Sequence, residues 1–75
     1  MLKFLKTLVD SKLTADQILI ATRVTQGISN ADIAIEMEVS EAQIYHETHI
    51  IYLKMGLKSR AQLIVYFVAT EYVYA

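Results

Sequence analysis

The chain has 75 residues, room for one domain with a small core, and a formal charge of −1 from seven Lys or Arg against eight Asp or Glu. It contains no Cys, which excludes a disulfide framework, a thiolate metal site and a thiol nucleophile. The near-neutral balance also sets it apart from strongly basic nucleic-acid binders, which draw most of their affinity from neutralised phosphates.

The opening segment, MLKFLKTLVDSK, has too short an apolar stretch for a secretory leader and no small-residue cleavage site. The longest apolar run, residues 63–69, falls far short of the roughly 18 residues a membrane span needs. A soluble, cytoplasmic chain is expected. Residues 1–12 read as an N-terminal arm or a short helix over 2–9, with Leu2, Leu5 and Val9 on one face. Residues 13–75 read as the core of the same single domain.

Thr14 with Gln17 then opens a helix over 15–26, burying Ile18, Ala21 and Val24 or their neighbours, and Gly27 closes it. Ser29 with Asp32 opens a second over 30–37, with Ile33, Ala34 and Met37 inward. Glu38, Val39 and Ser40 make a three-residue turn. Ser40 with Gln43 opens a third helix over 41–55, where Ile44, Thr48, Ile51 and Met55 share a face, and Gly56 closes it. Ser59 with Gln62 opens a fourth over 60–72. No Pro interrupts any of these segments. Four caps at one spacing, punctuated by two stop glycines, predict an all-α fold.

The fourth helix is apolar all round in the run LIVYFVA, whereas a helix on the surface of a monomer keeps a polar face. It reads as a central core helix, a dimer interface or a strand. The strand is set aside because no second strand exists to pair with it. In so short a chain one helix is hard to hide on both sides, so a homodimer is expected, with Leu63, Tyr66, Phe67, Thr70 and Tyr72 as interface candidates.

The helix–turn–helix spacing over 30–55 is that of a device for setting one helix into a DNA groove. From Leu13 to Tyr66 the chain resembles the LuxR-type (GerE-like) helix-turn-helix domain. The resemblance rests on Leu13-Thr14, Gly27, Ser29-Asn30, Ile33-Ala34, Val39-Ser40, Ile44, Ile51, Lys54, Gly56-Leu57 and Lys58-Ser59-Arg60, without a gap. It implies a four-helix DNA-binding transcriptional regulator whose third helix enters the major groove and whose fourth pairs two subunits. The chain departs from the family where phosphate chemistry is concerned. Asp16-Gln17-Ile18 replaces the usual Arg-Glu-Arg, Tyr45 replaces a Lys, Glu47 a His, Leu53 a position often basic, and Glu38 a position often Gly.

On a helical wheel, Ala42, Tyr45, His46, His49, Tyr52 and Leu53 point away from the core face. Ala42, Tyr45, His46 and His49 are the base-reading candidates, with Tyr45 against a thymine methyl or a phosphate. Lys54, Lys58 and Arg60 are the phosphate-contact candidates, with an intramolecular ion pair as the alternative for Arg60. DNA is therefore the expected partner, weakly held. The alternative is a protein partner, a related regulator or the transcription machinery, met through the apolar-aromatic patch of Tyr45, Tyr52 and Leu53 and through the last helix. Glu47 is the residue most hostile to DNA, and Lys54 lies seven residues on, too far for a direct pair. His46 and His49 lack further ligands for a metal site, no cofactor is implied, and no nucleophile grouping or phosphate loop is present. The chain does not read as an enzyme.

Overall fold

The computed structural model describes residues 2–73, and the side chains of residues 3–72. The described chain is all-helical: α1 (Leu2–Asp10), α2 (Ala15–Thr25), α3 (Asn30–Met37), α4 (Glu41–Met55) and α5 (Arg60–Val68), the last running on into a π-helical turn, Ala69–Val73. The fold is the expected helix-turn-helix domain. The optional N-terminal helix is present as α1.

The serine and threonine caps form as their spacing predicts. The side chains of Thr14, Ser29, Ser40 and Ser59 each accept the backbone N–H three residues on. Only the Thr14–Gln17 pair closes the reciprocal box, Gln17 Oε1 accepting the Thr14 amide at 3.0 Å. Gln62 Oε1 accepts instead from the Lys58 amide, one residue before its own cap, at 2.7 Å.

Four helices end on a residue in the left-handed region: Lys12, Gly27, Glu38 and Gly56. After each, the next amide reaches back across the last turn: Leu13 to Leu8, Ile28 to Arg23, Val39 to Ala34, Leu57 to Tyr52. This Schellman closure satisfies carbonyls that a helix end otherwise leaves open.

One core joins the helices. Ile20, Ala21 and Val24 of α2 meet Ile33 and Ala34 of α3, Ile44 and Ile51 of α4, and Leu63 of α5. Thr48 is buried as expected, while Met37 and Met55 lie at the edge of the core. On α2 the fully buried isoleucine is Ile20, and Ile18 is only partly covered.

Two expectations are corrected. In α1 the face turned inward is Phe4 and Leu8, both fully buried, whereas Leu5 and Val9 are exposed and the Leu2 side chain lies outside the described residues. The reason is the partner: the Phe4 ring meets Phe67 edge-on at 5.0 Å, and the Phe4 amide donates to Glu71 Oε1 at 2.6 Å. The last helix also leaves α geometry at Ala69 rather than continuing to residue 72.

Candidate nucleic-acid interface

α3 and α4 are joined by a turn centred on Glu38, whose backbone sits at φ 58°, a conformation glycine adopts without steric cost. Packing on α2 and α3 buries Ile44, Thr48 and Ile51, which turns the opposite side of α4 outward. Ala42, Tyr45, His46 and His49 are all exposed on that side. Tyr45 and His49 meet edge-on at 4.6 Å, so the two rings hold each other in place.

Tyr52 departs from this outward group. Half-buried, it packs against the core, and burial pushes its phenol up against the opposing pull of Arg60 and Thr48. Leu53 remains outside, 80% exposed.

The three phosphate candidates differ. The Lys54 ammonium donates to the Lys12 carbonyl at 3.0 Å and to Gln17 Oε1 at 2.8 Å. The Arg60 guanidinium donates to Asn30 Oδ1 at 3.2 Å and to the Ile28 carbonyl, tying the start of α5 to the start of α3. Among the described residues that is an intramolecular engagement by hydrogen bonds rather than the expected alternative, an ion pair. Lys58 alone of the three has a side chain without a hydrogen-bond partner among the described residues.

The bridging role of Gln17 is not legible in the sequence, where the residue stands only as the cap partner of Thr14. Its side chain is only 4% exposed, and it accepts from Lys54 while its Nε2 donates to Glu47 Oε2 at 2.9 Å. The neutral amide therefore bridges an anion and a cation that lie too far apart on α4 to meet directly. Glu47 is held against α2 instead of standing at the crest of the outward face.

At the other end, α5 buries Leu63 wholly in the core of the chain, and Phe67 is partly covered by Phe4 and Tyr72. Thr70 turns its hydroxyl to the Tyr66 carbonyl at 2.8 Å. The apolar residues left outward are Ala61, Val65 and Val68 of α5, spaced by four and three, and Tyr72 of the π-helical turn, with Tyr66 beside them. Steps of four and three are those by which a helix keeps one apolar side. Val65, Val68 and Ala61 were not among the sequence candidates, because a run apolar all round carries no phase.

No described helix is long and apolar enough to cross a membrane. No curated protein and no solved structure gives a significant match to the chain. A family model does: that of the bacterial regulatory proteins of the luxR family, GerE, matches residues 11–67. The match begins just after α1 and takes in α2 to α4 and most of α5, so the chain belongs to the luxR family of bacterial regulatory proteins.

Proposed function

We propose that the chain is a transcriptional regulator that binds DNA as a homodimer, with α4 set in the major groove and α5 pairing the subunits. The observation that carries the reading is the outward stripe of Ala42, Tyr45, His46 and His49 on a helix whose other side is fixed in the core. The withdrawal of Glu47 to Gln17 supports it, since a carboxylate at the crest would oppose phosphates. The outward seam on α5 supports the dimer.

Binding is weak and its salt dependence shallow. Each phosphate contact contributes about −0.9 to the log–log slope, so Lys58 alone gives near −1 per subunit. Release of Lys54 and Arg60 to phosphates would steepen it to about −3. The test is a titration of the labelled chain with duplex DNA at low salt, followed by amide shifts. Shifts at Ala42, Tyr45, His46 and His49 are expected; a titration that leaves α4 silent overturns the reading. Glu41→Lys, which removes an exposed carboxylate from the first turn of α4, is expected to raise DNA affinity and to weaken the helix terminus by about 0.3–1 kcal/mol.

A further inference from the structure

No Lys or Arg occurs between Arg23 and Lys54. The same stretch holds Asp32, Glu36, Glu38, Glu41 and Glu47, and it is the stretch that forms α3, the turn and nearly all of α4. Of these carboxylates only Glu36 is in an ion pair among the described residues, with Arg23. Glu38 and Glu41 are exposed where the turn enters α4, and Asp16, in the first turn of α2, adds a further exposed carboxylate.

A groove of about 180 Å³ runs between α2 and α4 beside these groups. Its lining mixes apolar side chains, Ile20, Met37 and Val39, with polar ones, Asp16, Gln17 and Glu47. Apolar carbon beside carboxylates suits a long cationic side chain, which lays its methylene stem on carbon and turns its charged head to oxygen. On the outward side of α4, turned away from the groove, the surface changes character. Tyr45 is 61% exposed and Leu53 80%, an aromatic and an aliphatic anchor on one helix, and a guanidinium can stack on the tyrosine face.

We propose that this face of the helix-turn-helix is a docking surface for a basic protein segment, a Lys- and Arg-rich amphipathic helix whose apolar residues meet Tyr45 and Leu53. Charge complementarity selects the occupant. The carboxylates that face a nucleic acid with like charge meet such a segment with opposite charge, which steers the encounter and fixes its register. The inference goes beyond the DNA reading and does not rest on it. If DNA also seats on α4, the two ligands exclude each other.

The test uses the full chain, isotope-labelled, at low salt. It is titrated with a synthetic helical peptide of Lys, Leu and Ala, and with the same peptide carrying Glu for Lys. The basic peptide is expected to shift the amides of residues 38–49 and the acidic one to leave them in place. Asp16→Asn, Glu38→Gln and Glu41→Gln together are expected to weaken the basic peptide about tenfold, the effect of three exposed ion pairs of ordinary strength. Should the triple variant lose helicity by circular dichroism, Glu38→Gln alone, outside the helices, carries the comparison, with an expected loss of about twofold. Equal binding of both peptides, shifts confined to other helices, or undiminished binding by the variants overturns the proposal. Duplex DNA is the competing arm. Displacement of DNA by the peptide supports a shared face, and a ternary complex overturns it. A chain that takes the peptide and never DNA sinks the DNA reading and leaves this one standing.

Discussion

At the scale of single residues, Gln17 does the most. One buried amide closes the cap of α2, receives Lys54 and holds Glu47, and its partners on α4 lie 37 and 30 residues away. The cap was legible in the sequence because it is local. The bridge was not, because nothing in a one-dimensional pattern says which of two helices will cross at that point. Gln17→Ala strips the bridge from a half-buried carboxylate and an ammonium together, and is expected to cost about 2–3 kcal/mol in urea unfolding. The Arg23–Glu36 pair works differently. Arg23 grips Glu36 through Nε and Nη2, at 2.9 Å in each case, and that hydrogen bonding holds the Glu36 carboxyl below its ordinary range while raising the guanidinium. A carboxyl depressed in the folded state contributes its stability in full above the unfolded value and loses it as pH falls through the folded one. Arg23→Ala is therefore expected to flatten part of the loss of urea midpoint between about pH 6 and pH 3, while leaving the alkaline side unchanged. Both groups lie at the surface, so the effect is small.

Among the elements, helix starts were more legible than helix ends. A cap needs a particular side chain, and all four of Thr14, Ser29, Ser40 and Ser59 carry one. A left-handed end needs only a backbone angle. It is announced at Gly27 and Gly56, hidden at Lys12, and marked at Glu38 only by the Gly that the resembled family often carries there. Those two positions hold a Cβ where none is comfortable, at a cost of about 1–2 kcal/mol each. Glu38→Gly is expected to raise the urea midpoint by the equivalent of about 1 kcal/mol, less the entropy gained by the unfolded chain. A drop in the midpoint would mean that the carboxylate itself anchors the turn. In α1 the apolar stripe is wide enough that either half suits a core, and Phe67 decides for Phe4 and Leu8. Phe4→Ala is expected to cost about 3–5 kcal/mol and to expose α1 amides to exchange before those of α2.

For the molecule as a whole, the exposed seam on α5 sets the expected association. Val65 is 67% exposed in the single subunit, so Val65→Glu leaves the core intact while placing a charge where the partner helix would lie. The variant is expected to sediment as a monomer with unchanged helicity, against a dimer for the parent chain. A parent that stays monomeric at high concentration refutes the pairing. That α5 would carry an apolar outer face was legible; its phase was not, since Leu63 and Phe67 face inward only because α1 and α2 are there to receive them.

The bond between the Phe4 amide and Glu71 has a topological corollary. Residues near the two ends of the described polypeptide touch, so the order in which the helices are strung is separable from how they pack. A circular permutant, sealed there by about six Gly and Ser residues and opened in the loop between α2 and α3, should regain the same shape with its helices renumbered.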